Sequence, residues 1–121
     1  MSDVRGRLRR SINRWASSDD LEAQSLRDDT AKAGCCPIAD AVDREYVELQ
    51  GSLSTVTLRP RGGVPALEAE LYDGSGAITL VWLGRRRIVG IEPGRKIHVE
   101  GRIGVQDKHR VMFNPRYELR S

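Results

Sequence analysis

The sequence predicts a mainly β protein, a small five-stranded Greek-key barrel behind a helical N-terminal extension. Three observations carry that expectation. In the stretch 66–82, Leu67, Ala69 and Leu71 alternate with Glu68, Glu70 and Tyr72, and an Asp73-Gly74-Ser75-Gly76 turn brings each of the three opposite an apolar residue, the pattern of a hairpin with one buried face. The run before it, from Tyr46, changes its inward parity midway, as a bulged strand does. Two further alternating runs follow a crossover too short for more than a turn or two of helix. The 121-residue chain is expected to divide into a helical extension and hinge over 1–34 and the barrel over 35–121.

Taken in chain order, residues 3–16 read as a helix. Ser2 can cap it, and Val4, Leu8, Ile12 and Trp15 form one apolar stripe of a 3.6-residue period. Arg5, Arg7, Arg9, Arg10 and Arg14 surround that stripe. A second helix starts at Asp19, with Glu22 completing a capping box, and runs toward Lys32 before stopping at Gly34. Its apolar face is thin: Leu21, Ala23 and Leu26. Ala33-Gly34-Cys35-Cys36-Pro37 is a hinge. Neither helix buries itself alone, so the pair packs on the barrel, associates with another copy, or stays partly disordered.

The first strand places Val47, Leu49 and Leu53 on odd positions and Val56 and Leu58 on even ones, so a bulge lies between Leu53 and Val56. Arg59-Pro60-Arg61-Gly62-Gly63 forms the next turn. In the hairpin, Tyr72 faces Ala77, Leu71 faces Ile78, Ala69 faces Leu80 and Leu67 faces Trp82. A one-residue slip would unmatch every apolar pair, so this register is well specified. A crossover over 85–94 leads to a fourth strand with Ile97, Val99, Gly101 and Ile103 inward. After a turn near Gln106-Asp107-Lys108, a fifth strand runs from about Arg110 to Leu119 with a break at Pro115. Val111 and Phe113 share parity in it and are expected in the core.

The net charge is +3 overall, but −1 over residues 1–45 and +4 over 46–121. The basic residues are nearly all Arg, which favours bidentate phosphate contacts. No apolar run is long enough to span a membrane, and no apolar segment follows the basic N-terminus, so a cytoplasmic protein without a secretory leader is expected. Asp3, Asp19 and Asp20 argue against a lipid-binding N-terminal helix. Adjacent Cys35 and Cys36 suit two reduced thiols better than a strained disulfide, and their spacing matches no zinc knuckle. Only two histidines occur, His98 and His109. With no Ser-His-Asp set, Walker loop, HExxH or paired acids, no enzyme, cofactor or metal is expected.

Three segments carry a resemblance: Leu71-Tyr72-Asp73-Gly74-Ser75-Gly76-Ala77-Ile78-Thr79-Leu80, then Ile91-Glu92-Pro93-Gly94-Arg95-Lys96-Ile97-His98-Val99-Glu100-Gly101-Arg102, then Asn114-Pro115-Arg116-Tyr117. Over residues 43–120 the chain resembles small actinobacterial OB-fold nucleic-acid-binding domain proteins. It is more distantly similar to the wedge domain of RecG-type helicases and to anticodon-binding OB domains. The resemblance implies an OB-fold barrel. The ligands it implies are diverse, since OB folds bind single strands, branched DNA, RNA, sugars or proteins. No helicase motor accompanies it, so helicase activity is not implied.

The candidate interface is a corner where the turn after strand 1 meets the end of strand 3, gathering Arg59 and Arg61 with Arg85, Arg86 and Arg87 as a phosphate-contacting patch. The alternative for these arginines is a solvated rim, or pairing with Glu68, Glu92 or Glu118. The outer face of strands 2 and 3 carries Glu68, Glu70, Tyr72, Thr79, Val81 and Leu83. Its two carboxylates repel phosphate, and only Tyr72 offers a ring for stacking. Trp82 points inward. The last strand adds Lys108, Arg110, Arg116 and Tyr117 as cations and an aromatic that can meet phosphate or base. The expected partner is therefore single-stranded or branched DNA, or RNA, bound weakly and without sequence preference. The rival is a protein-interaction or self-association module that uses the acidic face and the N-terminal helix.

Overall fold

The computed structural model describes residues 20–120. The first predicted helix, the Asp19 cap and any self-association through the N-terminal helix lie outside those residues. Seven strands are present among the described residues: β1 (Tyr46–Leu58), β2 (Ala66–Tyr72), β3 (Ala77–Leu83), β4 (Lys96–Arg102), β5 (Gly104–Gln106), β6 (His109–Phe113) and β7 (Arg116–Arg120). They form one sheet in the order β5-β6-β3-β2-β1-β4-β7. Physically these are the five expected strands. β5 continues β4 past Ile103, and β7 continues β6 past Asn114 and Pro115. β6 pairs in parallel with β3 while β7 pairs antiparallel with β4, so the last strand joins both sides and closes an OB-type barrel.

The hairpin register and the position of the bulge agree with the sequence. β2 and β3 pair Tyr72 with Ala77, Leu71 with Ile78, Ala69 with Leu80 and Leu67 with Trp82. The register of β1 on β2 shifts between Leu53 and Thr55. That bulge bends β1, so its first half pairs with β4 and its second half with β2. The last strand breaks where expected, with Asn114 in the left-handed region at φ 49°.

The core is one cluster around Leu49, Leu53, Leu71, Ile78, Leu80, Ile97, Val99 and Met112, with Trp82 beside them. Each fully buried aliphatic side chain contributes about 1.5–3 kcal/mol. One end of the barrel is plugged by Ile38 of a 3-10 turn (Ile38–Asp40), the other by Ile88 and Ile91 of the crossover. The buried Asp73 ties the first plug to the hairpin tip. Its carboxylate accepts hydrogen bonds from the backbone N–H of Ser75 (2.9 Å), Gly76 (3.1 Å) and Ile38 (2.8 Å), and from the Ser75 hydroxyl (2.6 Å).

Residues 20–32 form a helix, α1, and it packs on the barrel. Leu26 and Thr30 are buried against it. The Thr30 hydroxyl donates to the Leu26 carbonyl (2.9 Å) and lies 3.2 Å from the Gln50 carbonyl. Arg27 donates from Nη1 to the Gly74 carbonyl at 2.8 Å. Gly74, at φ 87°, lies so close to the Ala23 carbonyl that a Cβ would collide with it.

Three expectations are corrected. Leu21 is not on the docked face: it is 69% exposed, and Thr30 takes the buried place, its hydroxyl satisfied by carbonyls. Phe113 is not core. β6 pairs Met112 with inward-facing Leu80, so Met112 fills the barrel and Phe113 is 39% exposed on the outer wall. Val111 is buried, but in a second small cluster on that outer wall with Ala66 and Val81. For the same reason the outer face of β2 and β3 is less open than expected, with Val81 and Glu68 both buried.

Candidate nucleic-acid interface

Two surfaces collect the residues singled out by sequence. The first is a groove of about 330 Å³ over the outer face of β1, β2 and β3, between the 59–65 loop and the β5–β6 turn. Glu68 sits at its base, only 8% exposed. A buried carboxylate requires a partner, and two arginines supply it. Arg59 Nε lies 3.3 Å from Oε2, and Arg61 engages Oε1 through both Nε and Nη2. Arg61 also donates from Nη1 to Gln106 Oε1 at 3.1 Å, and its guanidinium lies 5.5 Å from the centre of the Phe113 ring. Glu70 and Asp107 add two more carboxylates to the lining. Arg110 touches the groove but is spoken for: Nε and Nη2 donate to the carbonyls of Ala41 and Ala39, both at 3.0 Å. Lys108 occupies the exposed turn beyond, at φ 67°. Tyr72 stands at the far end of β2, six residues from Ala66 and so roughly 20 Å along the strand.

The second surface is the rim at the end of β3. The Gly84 N–H donates to the Pro65 carbonyl at 2.7 Å, so the 59–65 loop and the start of the crossover do meet. Their guanidiniums nevertheless diverge in role. Arg59 and Arg61 turn to Glu68, whereas Arg85, Arg86 and Arg87 are exposed. Among the described residues, none of these three lies within ion-pair distance of a carboxylate. The break in the last strand brings it to the same rim. Asn114 donates its N–H to the Val81 carbonyl at 2.6 Å and accepts from the Leu83 N–H at 2.9 Å. The Trp82 indole donates to the Pro115 carbonyl at 3.2 Å. Arg116 and Tyr117 thereby join Trp82, Arg85, Ile88 and Pro115 around a hollow of about 380 Å³. The Tyr117 ring meets Trp82 edge-on, with centroids 5.8 Å apart and planes at 79°. Arg116 reaches Glu100 at 3.6 Å from a largely exposed position, a surface pair worth little.

The sequence-predicted set thus separates. Arg59, Arg61 and Arg110 line the groove with Lys108 on the turn beyond it, Arg85, Arg86, Arg87, Arg116 and Tyr117 share the rim, and Tyr72 belongs to neither. The anchoring role of Asn114 was missed, although Asn-Pro is a turn signal. A third surface was also missed: Lys32, Lys96, His98 and Arg120 border a hollow of about 540 Å³, with Asp29 pairing Lys96 at 3.6 Å. No sequence period connects a helix end with β4 and β7.

Both thiols are free. Cys35 is buried, with Sγ 3.7 Å from His98 Nδ1. Burial, then Glu48, raises its pKa; burial, then Asp40, raises that of Cys36. Among the described residues no group of three or more His, Cys, Asp or Glu side chains is placed to hold a metal. Nor is any described helix long and apolar enough to cross a membrane.

No family model matches the sequence, and no curated protein matches it significantly. Solved structures do. The chain is similar to RecG in its structure bound to a three-way DNA junction, with a TM-score of 0.61 and 19% identity over 71% of this chain and 12% of that one. It is also similar to the p204 HINb domain, with a TM-score of 0.60 and 14% identity over 75% of this chain and 49% of that one. The chain therefore spans about an eighth and about half of these two structures. At such identities the likeness shows a shared OB-type fold.

Proposed function

We propose that this protein is a non-enzymatic nucleic-acid-binding protein that holds DNA or RNA weakly, with little sequence preference, through its basic rim. One observation carries the reading: Arg85, Arg86 and Arg87 stand exposed and without carboxylate partners among the described residues, beside Arg116 and Tyr117. Free guanidiniums on a rigid edge meet phosphates bidentately without reading bases. The crossover that carries them is anchored by buried Ile88 and Ile91, so ordering the loop costs little on binding. Likeness to a RecG structure solved on a DNA junction supports the same reading.

Neutralising about 3–5 phosphates gives a log–log salt slope of roughly −2 to −4 for single strands. Fluorescence anisotropy with labelled mixed-sequence single strands, duplex and a forked substrate measures it. Changing Arg85, Arg86 and Arg87 together to Ala is expected to flatten the slope by about 2. An unaltered slope in the triple variant, or no binding at physiological salt, overturns the proposal.

A second reading has its own support. The groove at Glu68, Glu70 and Asp107 is charge-balanced and polar, which suits a protein partner better than a polyanion. It predicts negligible binding in the same titration.

A further inference from the structure

From the rim geometry, we infer that the hollow between Tyr117, Arg85 and Arg116 captures a single unpaired nucleotide, so that the preferred ligand is a duplex interrupted by one extrahelical base. This rests on the rim being the nucleic-acid interface and adds which feature of the nucleic acid the rim selects. Three observations lead there. Tyr117 is 42% exposed and, among the described residues, is the one aromatic bordering the hollow with a substantial free surface, since Trp82 beside it is 5% exposed. Its edge-on contact with Trp82, together with the indole bond to the Pro115 carbonyl, holds the ring in place. A base stacking on it therefore finds a surface already ordered.

The second observation is chemical. Arg85 and Arg116 line the hollow together with the ring, and Ile88 and Pro115 add apolar lining. That combination of one π-face, two guanidiniums and apolar lining matches a nucleotide: base on the ring and apolar lining, phosphate on the cations. A paired base in a duplex keeps its faces covered by its neighbours and cannot use the ring. The third observation is scale. The hollow is about 380 Å³, near the small end of ligand sites, and among the described residues no second exposed ring lines it. An extended single strand would stack once and gain no further base contacts, whereas Arg86 and Arg87 beside it suit flanking duplex phosphates. On the β2–β3 face Arg59 and Arg61 are already engaged by Glu68, which leaves them less available to a phosphate. A bulged base is already unpaired, so capturing it avoids most of the cost of extruding one.

The test uses the full chain and three labelled duplexes of identical length: perfectly paired, carrying one bulged nucleotide, and carrying an abasic residue at the bulge. The bulged duplex is expected to bind about 5- to 150-fold more tightly than the paired one, and the abasic duplex to lose that gain. Tyr117→Leu is expected to abolish the gain and leave the salt slope on paired duplex unchanged, while Tyr117→Phe keeps it. Arg85→Ala is expected to reduce the slope on both duplexes by about 0.9. Equal binding of bulged, abasic and paired duplexes overturns this inference but leaves the basic rim standing. A bulge preference that survives Tyr117→Leu, in a variant whose melting temperature shows it folded, overturns it too. No binding to any of the three overturns the rim as well.

Discussion

Glu68 decides which arginines are available, so its replacement by Gln is the most direct probe of the electrostatic argument. The carboxylate holds Arg59 at 3.3 Å and Arg61 through two donors. Arg59 has a side chain 70% exposed, and its share is screened to about 0–0.5 kcal/mol. Arg61 is 32% exposed and forked onto the buried oxygen, a charge-assisted arrangement worth about 1–2 kcal/mol. Gln keeps the size and one acceptor, so Glu68→Gln is expected to destabilise by about 1–2 kcal/mol, or roughly 3–10 °C in melting temperature. The same change releases one or both guanidiniums into a groove whose loop is tied to the rim by the Gly84–Pro65 hydrogen bond. The log–log salt slope for a single strand is then expected to steepen by about 0.7 to 1.4, one or two added phosphate contacts. Thermal melts followed by circular dichroism read the first quantity and salt-dependent anisotropy the second. A variant that melts lower but binds with the wild-type slope would refute the claim that Glu68 is what withholds Arg59 and Arg61 from the nucleic acid.

Two further outcomes check the packing. Gly74→Ala places a methyl group against the Ala23 carbonyl at a backbone φ of 87°, so it is expected to cost about 2–4 kcal/mol and to speed amide exchange in the 20–32 helix. Gly62→Ala, at φ 56° but with open space around it, is the matched control and is expected to cost about 1 kcal/mol; equal effects would show that the helix does not dock on the hairpin tip. Cys35 and Cys36 both have raised pKa values, so at pH 8 iodoacetamide is expected to alkylate them more slowly in the native protein than in denaturant, read by mass spectrometry. The sign for stability follows: a thiol raised above its ordinary 9.0 stabilises fully below that pH and loses its contribution as the pH climbs through the folded value. Native alkylation as fast as denatured alkylation would refute it.

The barrel was legible wherever one face of a strand is apolar and the other polar. Leu67, Ala69 and Leu71 against Trp82, Leu80 and Ile78 admit only one register, and the parity change between Leu53 and Val56 admits only a bulge. Pro115 announced its own break because it cannot donate to a ladder. Legibility failed where both faces are apolar. Val111, Met112 and Phe113 are consecutive hydrophobics, and alternation alone cannot say which point inward; only the pairing of Met112 with Leu80 decides it. The site was legible in composition and less so in geometry. Arg59 and Arg85 looked equivalent as cations near one corner. What separates them is a carboxylate nine residues after Arg59 that the fold buries beneath it. The sequence offers that pairing as one alternative for these arginines, but burial, which makes the pairing obligatory, is a property of the sheet covering Glu68 rather than of any local pattern.

That separation also explains why the row of arginines on the crossover has no carboxylate partner among the described residues. Arginines on the wall of a small barrel must share it with the carboxylates that alternate outward along the same strands, and β2 carries two of these, at Glu68 and Glu70. A crossover has no such alternation to obey. Its inward residues need only plug the end of the barrel, which Ile88 and Ile91 do, and the residues before them are free to be charged in a row. Three consecutive arginines on a β-strand would send one into the core; on the 84–95 segment all three remain in solvent. The buried plug fixes the backbone while the side chains keep their rotamer freedom, so the rim combines a rigid base with adaptable contacts. Adaptable guanidiniums match many phosphate spacings and therefore discriminate little among sequences. On that reading, whatever selectivity the rim has comes from a braced but exposed ring, Tyr117 held edge-on by Trp82.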